Sequence, residues 1–250
     1  MDGRDPDRRT AIITGGSRGI GLGVARTLVS RGYDVVLTAR SEGPLQAAAD
    51  WLGARWAAAD SADPEGFARV VAEAGRVDLV VHAAGIMAGT FVRRESHDTF
   101  AAIVRTNLTS AFVVAHAALE AMGPGGRFVF LSSSSAHAPQ PGRAAYSASK
   151  AGLNAFAGAL AKEVERDGIA VHVVTTGPVA TTMLDDVRFP MRTLDVPEVA
   201  ETVAWLDTLP PNVALPEVRL ASVDEGPFAP EPFVPAAARA LGRTDPPEPG

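Results

Sequence analysis

The chain has 250 residues, 46% of them hydrophobic and 21% charged, with a formal net charge of -6 and a pI near 5.4. That length buries a sizeable core as one large α/β domain or two small ones, and the acidic balance argues against nucleic acid or an anionic membrane as partner. With no cysteine, and with His82, His97, His116, His137 and His172 spaced unlike ligands, neither a disulfide framework nor a metal site is expected.

The opening MDGRDPDRRT is charged and has no apolar h-region, so no secretory signal is expected. No apolar run approaches the roughly 20 residues of a membrane span; a cytoplasmic protein is the expectation. TAIIT at 10–14 reads as the first strand, and TGGSRGIGLG follows it at 14–23. Gly15, Gly19 and Gly21 let the backbone turn tightly and approach a pyrophosphate, while the helix expected at 20–31 offers free N–H groups and its positive end. DVVLT at 34–38 is the second strand. An acidic residue at its end would read the free 2′-hydroxyl of NAD; LTARSE instead supplies Arg40, which with Arg18 can neutralise the 2′-phosphate of NADP(H). After a helix at 44–53, WAAAD at 56–60 is a weaker strand. It ends in Asp60, placed either to accept from the adenine amino group or to cap the next helix. That helix, at 64–75, has Asp63 as N-cap, Pro64 in its first position and Glu65 in its first turn.

VDLVVHA at 77–83 begins the second half, followed by a long helix at 97–122. Asn107 falls in the middle of that helix, where asparagine is unfavourable and invites a reason. RFVFLS at 127–132 is a strand, and FLSSSSAHAPQPG leaves it with Ser133 at the carboxyl edge of the sheet, where ligands bind. His137 lies four residues on, either near the pocket mouth or in a solvated loop. AAYSASKAGLNAFAG then opens a helix at 146–167. Tyr146 and Lys150 stand at i and i+4 on one face. A compact ammonium there lowers the phenol pKa and can also bond a ribose hydroxyl, which the broad guanidinium fork does poorly. A tyrosine tuned in this way exchanges protons with a carbonyl or alcohol oxygen. AVHVVT at 170–175, a helix at 197–208 and EVRLA at 217–221 complete the pattern. Continuously apolar strands alternating with helices mean a parallel sheet covered on both faces.

The glycine loop, HAAG at 82–85, Asn107, Ser133 and YSASK at 146–150 together resemble the classical short-chain dehydrogenases/reductases, from about residue 9 to 222. The resemblance implies a single Rossmann-type α/β domain, a doubly wound parallel sheet of about seven strands, over 1–225, with a proline-rich tail at 226–250. It implies an Asn107–Ser133–Tyr146–Lys150 tetrad, with Tyr146 as acid/base, Ser133 positioning the substrate, Lys150 anchoring the nicotinamide ribose and Asn107 holding a relay water. The cofactor would be NADP(H). It would be held by Gly15, Ser17, Arg18, Gly19, Ile20, Gly21, Arg40, Asp60, Ser61, Ala83, Ala84, Gly85, Tyr146, Lys150 and Val179, with Thr181 near the carboxamide. Two departures stand out: His82-Ala83-Ala84-Gly85 replaces the usual Asn-Asn-Ala-Gly, and Thr176-Gly177 replaces Pro-Gly.

The function so implied is interconversion of a ketone or aldehyde and an alcohol, as a carbonyl reductase acting on a small molecule. The alternative is a non-catalytic NADP(H)-binding sensor; known sensors of this kind have lost the tyrosine or the lysine. Small residues in the helices at 97–122 and 146–167 point to a homodimer or homotetramer, since family members commonly pair these helices. TMLDDVRFPMRTLDV, after Thr181, is short for a substrate lid. That favours an open site and a larger, cyclic or polyketide-like carbonyl. Arg143, Arg188 and Arg192 would serve the other option, a small acidic substrate.

Overall fold

A computed structural model of the chain describes residues 8–184 and 193–223. Its strands are Thr10–Thr14 (β1), Asp34–Ala39 (β2), Arg55–Ala58 (β3), Val77–His82 (β4), Met122–Ser133 (β5), Ala170–Thr176 (β6) and Glu217–Leu220 (β7). The helices are Gly19–Ser30 (α1), Glu42–Leu52 (α2), Pro64–Ala74 (α3), His97–Val104 (α4), Ser110–Leu119 (α5), Ala144–Glu163 (α6) and Val196–Leu206 (α7). All seven strands are parallel, in the order β3-β2-β1-β4-β5-β6-β7.

The strands read as unbroken apolar runs because each face is covered. Ile12, Val36, Val80 and Phe130 point to the side where α3, α5 and α6 pack. Ala11, Ile13, Leu37 and Val81 point to the side of α1, α2 and α7. The strand order reverses between β1 and β4, so the crevice at their carboxyl ends is the place this topology offers a ligand.

Three expectations need correction. The helix expected at 97–122 is α4 and α5 joined by a π-helical turn, Arg105–Thr109, and it stops at Leu119. Strand β5 begins at Met122 rather than 127: Met122 pairs with Val77, and the glycine-rich GPGG then bulges out, with Gly125 at φ +83°, before Arg127 pairs with Leu79. The composite helix His97–Leu119 is also long and apolar enough to cross a membrane, with mean hydropathy 1.3. Its apolarity has a local use: α5 packs on α3, and the turn before it packs on α6.

Asp63 does occupy the N-cap of α3, but its carboxylate makes no capping bond. The cap at α7 is better formed, with Asp195 and Glu198 in a reciprocal box. The 226–250 tail and the arginines Arg188 and Arg192 lie outside the described residues, as does most of the stretch read as a short lid.

Candidate active site

The loop between β1 and α1 is shaped as a cradle. Gly15 has φ +66°, and a Cβ there would stand 3.0 Å from the Ala84 backbone. A Cβ on Gly21 would come within 2.4 Å of the Gly15 carbonyl oxygen, which only glycine avoids. The loop thus lies against Ala83 and Ala84, whose backbone is fixed in turn by the Ala84 N–H donating to Thr14 Oγ1 at 3.0 Å. Ile20 packs on the α1–α2 side of the core, Ser17 is half-buried, and Arg18 stands exposed in extended backbone at the N-cap of α1. Thr181 is beside this loop: its Cγ2 is 3.5 Å from where a Gly19 Cβ would be. Val179 is buried and bridged to Leu194. A backbone cradle at a helix N-terminus, with Arg18 and Arg40 exposed and unpaired among the described side chains, fits a phosphorylated dinucleotide.

The four tetrad residues meet at the carboxyl edge of β4 and β5. Asn107 is fully buried in the π-helical turn. Its Oδ1 accepts from Ile86 N–H at 2.8 Å, and its Nδ2 donates to Ile86 O and to Ser149 Oγ, each at 3.0 Å. Ser149 donates to the Tyr146 carbonyl at 2.7 Å, so Asn107 clamps the segment after Gly85 onto the face of α6 that carries Tyr146 and Ser149. Lys150 is buried, and its Nζ donates to Leu131 O at 2.8 Å. Burial lowers its pKa to about 8. Gly85 leaves room for both: a Cβ there would be 3.3 Å from Asn107 Oδ1 and 3.6 Å from Lys150 Nζ.

Tyr146 differs from expectation. Burial pushes its phenol above the ordinary value, and only partly is this opposed by a hydrogen bond from Ser133 and by the charge of Arg143. Among the chain's own groups desolvation wins, so the expected lowering by Lys150 is not met. Ser133 Oγ also accepts from Ser135 N–H at 3.2 Å and so caps the short 3-10 turn Ser134–Ala136.

His82 replaces the missing asparagine rather than leaving a gap. Thr14 Oγ1 lies 3.0 Å from its Nδ1, and Ser110 Oγ lies 3.1 Å from its Nε2. Thr14 already accepts from Ala84, so its hydroxyl donates to Nδ1; Ser110 donates to Thr106 O, so it accepts from Nε2–H. That order fixes a neutral, Nε2-protonated ring. Burial, with the charge of Lys150, lowers its pKa to about 3.

At the adenine end, Asp60 neither caps α3 nor stands open. Its Oδ1 accepts from Ala62 N–H at 2.9 Å and its Oδ2 pairs with Arg105 at 2.6 Å, while Ser61 is buried beside it. His137 is tied down as well: its Nε2 is 2.6 Å from Glu217 Oε1, which also accepts from Thr175 Oγ1. Partial burial pushes the Glu217 carboxyl up, but the bonds from Arg219, Thr175 and His137 outweigh this and lower it to about 2. Sequence reasoning missed Arg105, Ser149 and Glu217. Their partners are 45, 42 and 42 residues away, too far for any local spacing to show.

Residues 9–191 match the family described as short chain dehydrogenase. The 3-oxoacyl-(acyl-carrier-protein) reductase FabG of Escherichia coli is 38% identical over 183 residues, 70% of this chain and 75% of the relative. Acetoacetyl-CoA reductase of Cupriavidus necator is 31% identical, covering 80% of this chain and 91% of its own. Among solved structures, an actinorhodin polyketide ketoreductase with NADPH superposes with a TM-score of 0.78 at 29% identity, over 86% of this chain and 95% of that one.

Proposed function

Because the chain belongs to the short-chain dehydrogenase/reductase family, we propose that it is an NADP(H)-dependent reductase converting a keto group on a bulky substrate to a secondary alcohol. The observation that carries this reading is the convergence of Tyr146, Lys150, Asn107 and Ser133 at the sheet edge. It stands beside a loop cradle flanked by two arginines that have no partner among the described residues. Support for the cofactor also comes from the NADPH in the structurally similar ketoreductase. The named relatives act on 3-oxoacyl and acetoacetyl groups, and the structural neighbour on a polyketide. All are extended keto substrates, which is the class we propose.

A reduced nicotinamide held by the glycine loop and Lys150 would supply the hydride for the carbonyl carbon. The Ser133 hydroxyl holds the carbonyl oxygen, and the Tyr146 phenol gives that oxygen its proton. The raised pKa suits this direction, since the phenol is fully protonated near neutral pH. Lys150 spends one N–H on Leu131 O and keeps two for a ribose hydroxyl and for the phenol side. Both amide protons of Asn107 are committed, so a relay water would sit on one of its oxygens.

The test is a panel of 3-oxoacyl thioesters, bicyclic ketones, serine and 3-hydroxypropionate with NADPH and with NADH. Oxidation of NADPH by the thioesters or bulky ketones is expected, with NADH clearly poorer. Efficient turnover of serine or 3-hydroxypropionate, with bulky ketones inert, would overturn the substrate class. Tight NADPH binding with no turnover of any member would favour a sensor.

A further inference from the structure

Arg40 and Asp60 leave neighbouring strands side by side. Ala39 is paired with Ala58 in the β2–β3 register, and Ala59 N–H donates to Ala39 O at 3.1 Å. An arginine and an aspartate so placed attract one another, and a pair between them would take Arg40 away from any anion. Both oxygens of Asp60 are instead occupied by other partners. Arg105 NH1 donates to its Oδ2 at 2.6 Å, Arg105 NH2 reaches Ala62 O at 3.3 Å, and Ala62 N–H fills Oδ1. Partial burial pushes the Asp60 carboxyl up, but the Ala62 bond, Arg105 and, last, the charge of Arg40 hold it below its usual value. Arg40 keeps no side-chain hydrogen bond or ion pair among the described residues.

We propose that Arg105 is a specificity-determining residue: by holding Asp60 it keeps Arg40 free for the 2′-phosphate of the cofactor. The inference rests on the NADP(H) reading above and adds a residue to it from outside the nucleotide-binding half. Arg105 stands at the first position of the π-helical turn and reaches Asp60 Oδ2 from there. An uncompensated Asp60 would act twice against a 2′-phosphate, by capturing Arg40 and by repelling the phosphate directly. Paired with Arg105, it does neither, while its remaining lone pairs stay available to an adenine amino group.

The experiment measures binding by calorimetry with two probes, adenosine 2′,5′-bisphosphate and 5′-AMP, which differ only in the 2′-phosphate. Arg105→Leu should weaken the bisphosphate about fivefold, the upper range for a partly exposed ion pair, while leaving 5′-AMP nearly unchanged. Adding Asp60→Asn to Arg105→Leu should return the preference for the bisphosphate to its original ratio, because no carboxylate is then left to capture Arg40. Arg105→Gln serves as a second variant should the leucine disturb the turn, with the same expected direction. An unchanged ratio in both variants overturns the proposal. So does an equal loss for the two probes, which would mean that Arg105 shapes the adenine pocket or the turn alone, or a ratio that Asp60→Asn fails to restore. A wild-type protein that binds the bisphosphate no more tightly than 5′-AMP overturns the NADP(H) reading itself, before any variant is made.

Discussion

Desolvation decides the protonation of the two titratable groups proposed as catalytic, Tyr146 and Lys150, and it acts on them in opposite senses. It raises Tyr146 and lowers Lys150 to about 8, so each group is pushed toward its uncharged form. For a proton donor the required form is the neutral phenol. The rate of ketone reduction should therefore hold through neutral pH and fall on the alkaline side as the phenol ionises, whereas alcohol oxidation should rise there. A reduction rate that climbs steadily with pH would contradict Tyr146 as the acid. Tyr146→Phe should lower kcat by on the order of 10²-fold or more, with NADPH binding by fluorescence titration retained. Near-normal turnover in that variant would remove the tetrad reading. The second tyrosine shows how much surroundings matter. Tyr33 is driven up to about 12 by burial and by its hydrogen bond to Asp207, and it stands away from the site, on the α1–α2 side of the sheet.

At the level of elements, the π-helical turn Arg105–Thr109 and Ser110 just after it connect to Asp60, to Ile86 and to His82. An inserted residue in a helix distorts the regular ladder, and such turns recur at functional sites. Here Ser110 returns its hydroxyl to Thr106 O, and His82 links Ser110 through Thr14 to the backbone of Ala84. The turn that carries Asn107 is thereby bolted to the carboxyl ends of β1 and β4. His82 can serve only while neutral. Its folded pKa of about 3 lies below the ordinary 6.5, so between these values the unfolded chain binds a proton that the native state refuses. Stability should therefore fall as pH drops through that window, by up to about 1.4 kcal/mol per pH unit from this group. Denaturant unfolding at pH 7 and pH 4 checks this: His82→Asn should lose less stability between the two than the wild type. Equal losses would mean the ring is not held neutral. The position of Asn107 inside a helix was a readable anomaly, but the turn that resolves it was not, since its supports come from β1 and β4.

For the molecule as a whole, two apolar layers account for most of the buried surface, and what remains exposed is informative. Phe112 on α5 is 55% exposed, stacked on His116 and set edge-on against Phe156 of α6. An aromatic in that position, on helices otherwise rich in alanine, is what a pairing surface between copies of the chain needs. A dimer or tetramer is the expected mass by light scattering at micromolar concentration, and Phe112→Asp should shift it to monomer with the secondary structure intact. A wild-type monomer would end this expectation.

The layered α/β architecture follows from the order of residues along the chain, because alternating apolar strands and amphipathic helices of this length pack in few other ways. That order also located the glycine loop, Ser133, Tyr146 and Lys150, because each of those depends on local spacing: a turn before a helix, a strand end, one helical turn from i to i+4. What the tertiary structure alone decided was how the residues are charged and tied. Arg105 reaches Asp60 across 45 residues, His82 reaches Ser110 across 28, and His137 reaches Glu217 across 80. The direction of the Tyr146 shift belongs here too. Proximity of an ammonium can be read from a motif, but the cost of burying a phenolate depends on every atom that displaces water around it, and those atoms come from all parts of the chain.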